Sequence, residues 1–156
     1  MENTIDKAHF LQNEYTKKIA QIPADTTPRW GKMNVQQMIE HMSDYVRIAN
    51  GRTPMEIVTE EGMIPRMQAF LASDKAFKEN TPNVLMSDTP PPVRNESHEA
   101  AITELQGEVD HFIHVHTTHP DTTLANPFFG HLNFEQQLQL LYKHSTHHLR
   151  QFGVDQ

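Results

Sequence analysis

Apolar residues recur three and four positions apart over several stretches of this chain, which is the spacing of one face of an α-helix. Asn34 is a typical helix N-cap and Gln37 follows it by three, a variant of the capping box. Gly51 is a natural C-terminal stop. Between them lies an i, i+3, i+4, i+7 stripe made of Val35, Met38, Ile39, Met42, Tyr45, Val46 and Ala49. The pattern predicts a helix that begins at Asn34 and ends near Gly51.

The same spacing predicts three further main helices, over residues 4–21, about 95–116, and from Asn133 to about Phe152. Gln136 stands three residues after Asn133, so this start repeats the capping-box pattern. A short helix is predicted within residues 63–77, after Pro65. Residues 79–93 hold four of the ten prolines and are predicted to form a long crossover loop. Residues 119–132 are predicted as a second loop, and no strand pair is expected. The predicted fold is all-α, a four-helix bundle.

Bulk composition limits the classes of protein that this chain can belong to. Its 156 residues fit one domain, taken here as residues 1–156. The absence of cysteine excludes disulfides and thiolate zinc sites. No apolar stretch reaches the roughly 18 residues of a membrane span, so we expect a cytoplasmic protein with no membrane partner. The formal charge of −7 argues against a nucleic-acid partner, because binding phosphates requires a basic surface.

Eleven histidines are the unusual part of the composition, and their spacing shows which of them continue the apolar face of a predicted helix. In the segment KHSTHHLRQ, His144 follows Leu141 by three and His148 follows His144 by four, so both continue the apolar stripe of the last helix. His147 lies on the flank of that stripe. An i, i+4 histidine pair can bind one divalent metal ion. The alternative is a pair of partly buried histidines that only form hydrogen bonds.

A third ligand is expected from the second predicted helix. His41 lies three residues after Met38 and borders the apolar stripe. Its alternative role is that of an interfacial histidine with ordinary hydrogen bonds. Asp44, one turn along, could orient the His41 ring, although a solvated acid on the helix edge is the simpler interpretation.

The remaining candidates carry weaker patterns. The segment DHFIHVHTTH holds four histidines, which are interpreted as surface or interface residues: His111, His114, His116 and His119. Of these, His116 continues the stripe of its helix and is a further candidate for the pocket. Arg29 and Trp30 precede the second helix and could shape the pocket, but Trp30 is interpreted first as a packing anchor.

Two segments together carry a resemblance to a known family. The segments RWGKMNVQQMIEHM and FFGHLNFEQQLQLLYKHSTHHLRQFG resemble the DinB/YfiT-like family of metalloenzymes, in particular a subgroup described only as a domain of unknown function. The resemblance implies a four-helix bundle with up-down-down-up connections and a metal site formed by His41, His144 and His148. Relatives in that family include S-transferases that use low-molecular-weight thiols and a maleylpyruvate isomerase. Dimers are common among them, which implies a possible homodimer.

The chemistry of such a site defines the predicted function. Three neutral imidazoles suit zinc, nickel or iron, disfavour magnesium and calcium, and leave the ion an open position. We therefore predict a metal-dependent enzyme for a small-molecule substrate, either a thiol S-transferase or a hydrolase. Asp44 and Tyr45 are its candidates for acid–base assistance. The alternative is a helical bundle that binds a metal or ligand without catalysis.

Overall fold

Helices make up most of the computed structural model, which describes residues 4–79 and 89–154. The N-terminal helix consists of α1 (Thr4–His9), a π-helical turn (Phe10–Glu14) and α2 (Tyr15–Ala20). The next elements are α3 (Val35–Ala49), a 3₁₀ turn (Glu61–Met63) and α4 (Ile64–Ala72). The chain continues with α5 (His98–Thr118), β1 (Leu124–Asn126), β2 (Gly130–Leu132) and α6 (Phe134–Gln151). The prediction of a mainly helical protein is confirmed.

Both predicted capping boxes are present, and they fix where α3 and α6 begin. The Asn34 side chain accepts a hydrogen bond from the Gln37 backbone N–H at 2.8 Å, and the Gln37 side chain accepts one from the Asn34 N–H at 2.9 Å. Asn133 and Gln136 make the same reciprocal pair at 2.9 and 3.0 Å. Each pair satisfies two backbone donors that a helix start otherwise leaves without partners.

The N-terminal helix covers the predicted range but is not a uniform α-helix. In its π-helical turn the Tyr15 backbone N–H donates to the Phe10 carbonyl, five residues back. The short helix predicted within residues 63–77 is α4. Helix α5 begins later than predicted because Ser97 is its cap, with its hydroxyl oxygen accepting from the Ala100 N–H at 3.0 Å.

One hydrophobic core joins the N-terminal helix, α3, α5 and α6. Helix α3 packs most extensively against α5. Residues from all four elements are buried in this core, including Tyr15, Met38, Ile39, Met42, Leu105, Phe112, Leu138 and Leu149. A smaller cluster joins α4 to α6 and the hairpin through Leu71, Phe129, Leu132 and Leu140. Burial of these apolar faces is the main force that holds the helices together.

The prediction that residues 119–132 form only a loop is wrong, because β1 and β2 form an antiparallel hairpin with Leu124 opposite Leu132. Asn126 shapes the turn, since its side-chain oxygen accepts from the backbone N–H groups of Phe128 and Phe129 at 2.9 and 3.1 Å. Three-residue strands are too short for alternation of apolar and polar residues to reveal them.

The predicted crossover loop lies partly outside the described residues. Its described part, residue 79 and residues 89–93, contains no helix and no strand. Within the described ranges, no helix has the length and apolar character needed to cross a membrane.

Candidate metal centre

Three histidines from two helices, α3 and α6, converge at a partly buried position. One ring nitrogen from each of His41, His144 and His148 lies within 4.8 Å of the others, and we call this group the histidine cluster. The His41 Nε2 and His144 Nε2 atoms are 3.2 Å apart. Two ligands that are each about 2.1 Å from a tetrahedral ion lie about 3.4 Å from one another. The three residues predicted as ligands are therefore brought together, at a spacing that could hold a metal ion.

All three imidazoles are held in their neutral form near pH 7. Burial lowers the pKa of His41 to about 4, and the neighbouring His147 adds to the effect. The pKa values of His144 and His148 are also lowered well below the ordinary value, first by burial and then by the other histidines. A neutral imidazole keeps a nitrogen lone pair that can bind a metal, whereas an imidazolium does not.

A residue that the sequence analysis missed orients one of these rings. The His148 Nδ1 atom lies 2.7 Å from the Gln151 side-chain oxygen, and both residues are buried. Because that oxygen can only accept, Nδ1 carries the proton and Nε2 remains the free nitrogen. Gln151 follows His148 by three, so i, i+3 spacing on α6 was the sequence signal that could have revealed it.

The segment before α3 holds Gln151 in place. The Gln151 side-chain amide donates to the Trp30 carbonyl at 2.8 Å, and the Arg29 backbone N–H donates to the Gln151 carbonyl at 2.7 Å. Gly31 has a φ of +78°, and a Cβ at this position would lie 3.0 Å from the Gln151 amide nitrogen. Only glycine adopts this conformation readily and leaves room for the amide. Residues 29–31 thus support the cluster through their backbone.

Tyr45 borders the cluster, whereas Asp44 has other partners. The Tyr45 ring packs against His41 and, edge-on, against His144, with centroid distances of 4.8 and 4.6 Å. Asp44 is exposed and pairs with Arg47 and Arg94 at 3.2 and 3.1 Å. No hydrogen bond joins it to His41 within the described structure, so the predicted role of Asp44 in orienting that ring is not supported.

A cavity of about 710 Å³ opens beside His41 and Tyr45. Much of its wall is apolar, from Met33, Ile48, Met55, Pro91, Pro92 and Pro127. Its polar wall includes Gln37, Glu40, Asp44 and Arg94. A space of this size suits a small organic molecule.

Glu40 stabilises one wall of that cavity through hydrogen bonds. Its carboxylate accepts hydrogen bonds from the backbone N–H groups of Arg94 and Asn95, both at 2.9 Å, and from the side chains of Asn95 and Gln36. Burial alone would raise the pKa of Glu40, but the hydrogen bonds outweigh it and hold the pKa below its ordinary value. Glu40 is therefore ionised near pH 7 and ties the segment before α5 to α3.

The other histidines lie outside the cluster. His147 is buried beside it and packs against the Trp30 ring, with a centroid distance of 5.2 Å, which agrees with the packing role considered for Trp30. His116 is wrongly predicted as a candidate for the same pocket, because its Nε2 lies 3.1 Å from the carbonyl of Ala49. Ala49 is eight residues from His41 on α3, which corresponds to about 12 Å along the helix. His111, His114 and His119 take no part in the cluster.

One comparison with known proteins identifies a family for this chain. A family model described as the DinB superfamily matches residues 14–152. The chain belongs to the DinB superfamily. No curated protein and no solved structure shows a significant match. The DinB match includes every residue of the histidine cluster together with Gln151, whereas α1 lies outside it.

Proposed function

We propose that the protein is a metal-dependent enzyme acting on small molecules, with zinc, nickel or iron held by His41, His144 and His148. The observation that carries this proposal is the convergence of three neutral ring nitrogens within 4.8 Å beside a cavity. An all-imidazole donor set suits these ions and disfavours magnesium and calcium. Membership of the DinB superfamily is consistent with the proposal.

The donor set leaves room for a further ligand. Among the described residues, no carboxylate joins the three histidines in the cluster. An ion with three protein ligands keeps an open position, which is typical of catalytic zinc sites and unlike closed structural ones. Such an ion supplies Lewis acidity, which activates a water or a small thiol as a nucleophile near neutral pH.

The surrounding residues support an organic substrate. Met33, Ile48 and Met55 offer an apolar wall for its carbon skeleton, and Arg94 places a cation at the polar side. The reaction class proposed is transfer to a low-molecular-weight thiol, or hydrolysis by the same activation. The Tyr45 phenol is the group proposed to assist proton transfer, because its ring contacts two residues of the cluster.

A specific helix arrangement is part of this proposal. We propose the up-down-down-up four-helix bundle, with the long connection lying between α3 and α5. The contacts of α3 with α5 and of α1 with α6 support this arrangement. In this structure α3 and α6, which carry the ligands, also contact each other.

Metal content of the purified, tag-free protein tests the proposal. We expect about one zinc, nickel or iron ion per chain, lost in His148→Ala and retained in His147→Ala. His147 is the matched control because it is a buried histidine next to the cluster but not part of it. Far-ultraviolet circular dichroism of each variant checks that the helices remain. A wild-type protein that binds none of these metals after incubation with them would overturn the proposed site.

Activity is then tested on the metal-loaded protein. Thiol transfer is measured with small thiols and electrophilic acceptors, and hydrolysis with ester and amide substrates. Turnover that is lost in His148→Ala and retained in His147→Ala supports the enzyme. Metal binding without turnover by either assay would favour the non-catalytic alternative.

A further inference from the structure

A second cavity lies on the opposite flank of α6 from the histidine cluster. Its volume is about 370 Å³, and α1, the segment after α4 and the outer face of α6 form its walls. On α6 it contacts residues 139, 143, 146 and 150, which are spaced by three and four and share one helix face. We call this cavity the lysine pocket, after Lys7, Lys75 and Lys143 in its wall.

The charge of the lysine pocket is opposite to that of the whole protein. Four cations line it, namely the three lysines and Arg150, and Asp74 is the one acid in its lining. The chain as a whole carries 13 basic and 20 acidic residues, for a formal charge of −7. A concentration of positive charge on an acidic protein attracts an anion to that place.

Two of the lysines are buried without a carboxylate partner. Lys7 and Lys143 are each 8% exposed, and no carboxylate of the described residues lies within ion-pair distance of either ammonium group. Burial of an unpaired charge is costly, because water is lost and no opposite charge replaces it. The structure therefore contains two buried cations with no carboxylate in direct contact.

Neutral acceptors satisfy only part of the hydrogen-bonding capacity of Lys7 and Lys143. The Lys143 ammonium donates to the Phe70 carbonyl at 2.7 Å, and the Lys7 ammonium donates to the Gln139 side-chain oxygen. Each ammonium carries three N–H bonds and also lies over an aromatic ring, Tyr142 for Lys7 and Phe70 for Lys143, so at most two N–H bonds on each remain for another acceptor. Burial lowers the pKa of Lys143, and the nearby charge of Lys7 lowers it further, although Asp74 opposes this. A bound anion would relieve that repulsion.

Arg150 adds a further unused donor group. Its side chain forms no hydrogen bond or ion pair with other residues in the described ranges, although it lines the same cavity. A guanidinium binds phosphate and carboxylate oxygens through parallel N–H groups. The Tyr142 ring and Ala76 also line the cavity and offer an apolar surface. The pocket thus combines cations with space for a small carbon skeleton.

We propose that the lysine pocket is a binding site for a small organic dianion, whose phosphate or paired carboxylate oxygens lie between Lys7 and Lys143. An excess of three positive charges over the lining acid favours a doubly charged group over a single carboxylate. The site is separate from the histidine cluster and does not depend on the function proposed for it. Lys7 and Lys143 come from opposite ends of the chain, so the site forms only when α1 packs on α6.

Isothermal titration calorimetry with inorganic phosphate and with malonate, at fixed ionic strength, tests the proposal. For the wild-type protein we expect saturable binding at one site per chain for at least one of these dianions. Lys143→Met and Lys7→Met keep an unbranched side chain that is one atom shorter and remove the charge, so each should weaken binding about tenfold or more. Lys17→Met, on an exposed face of α2, is the matched control and should bind like the wild type.

The affinities of the wild type and the three variants for the two anions decide the outcome. Stronger binding of phosphate assigns a phosphate ester as the ligand class, and stronger binding of malonate assigns a dicarboxylate. Absence of binding for both anions would overturn the proposal. Equal binding by the wild type and both pocket variants would also overturn it, since the anion would then bind elsewhere, for example at a metal ion. Thermal unfolding of each variant establishes that it is folded.

Discussion

Gln151 is predicted to set the metal affinity of the histidine cluster without being a ligand. Its side chain accepts from His148 Nδ1 at 2.7 Å and donates to the Trp30 carbonyl at 2.8 Å, and the residue is 3% exposed. Gln151→Ala removes both hydrogen bonds and leaves the buried His148 Nδ1–H and the partly buried Trp30 carbonyl without these partners. Loss of such a supporting group reduces metal affinity by about 10–100-fold, or about 1.4–2.8 kcal/mol. The same change should lower the free energy of unfolding by about 2–4 kcal/mol.

Competition with a chromophoric zinc chelator measures the affinity, and urea denaturation of the metal-free protein measures stability. Gln139→Ala is the matched control, because Gln139 lies on α6 and donates to the Leu71 carbonyl at 3.1 Å, away from the cluster. It should lose stability but keep the zinc affinity. Gln151→Glu separates the two roles, since a carboxylate still accepts from His148 but cannot donate to Trp30. It should retain the affinity of the wild type or exceed it.

The affinities of these variants decide whether the reasoning holds. Zinc affinity of Gln151→Ala within twofold of the wild type would refute the role of Gln151. An equal loss of affinity in Gln139→Ala would show that general destabilisation, rather than orientation of His148, lowers the affinity.

Three further predictions follow from the structure. At Gly31 the backbone φ is +78°, and the Cβ of a Gly31→Ala variant would lie 3.0 Å from the side-chain amide of Gln151. This variant should lose zinc affinity and about 1–2 kcal/mol of stability. Gly51→Ala, with a φ of +85° and ordinary contacts, should lose stability alone. Because burial lowers the pKa of His41 from 6.5 to about 4, the unfolded chain binds more protons than the metal-free native state between those values. Urea denaturation should therefore show that the free energy of unfolding falls as the pH drops through this window. The fall should be smaller in His41→Gln than in the wild type, by up to about 3 kcal/mol, whereas His114→Gln, at an exposed position, should follow the wild type. Tyr15→Phe should raise the free energy of unfolding by about 1 kcal/mol in the same assay, because the Tyr15 hydroxyl is buried and has no hydrogen-bond partner among the described residues.

Features that depend on neighbouring residues in one helix could be predicted from the sequence. The caps at Asn34 and Asn133 are local, since each needs only a glutamine three residues later. The choice of His144 and His148 over His147 also rests on spacing within α6. The apolar faces of both helices then turn these side chains inward, which brings the pair to His41.

Features that depend on contacts between distant segments could not be predicted in this way. The Gln151 amide meets the Trp30 carbonyl across 121 residues of sequence. Asp44 pairs with Arg94, which lies 50 residues away in sequence. Helical periodicity does not predict the position of Arg94. A single sequence shows which polar groups need hydrogen-bond or ion-pair partners. It does not identify the partner when several segments could supply one. Metal binding by the cluster, the nature of the substrate and any dimer stay predictions.

The π-helical turn at Phe10–Glu14 makes the lysine pocket tolerant of a one-residue change in the length of the N-terminal helix. A π turn accommodates one residue more than an α-helical turn, and each residue of an α-helix turns the chain by about 100°. Deletion of one residue within the turn would therefore leave a regular α-helix, with α1 and α2 in nearly the same relative orientation. Lys7 would stay beside Gln139, and Tyr15 and Ile19 would keep their places in the core. The DinB match begins at residue 14, so Lys7 and all but the last residue of the turn precede the shared part of the chain. The turn thus allows the N-terminal helix to gain or lose one residue without disturbing either the lysine pocket or the histidines.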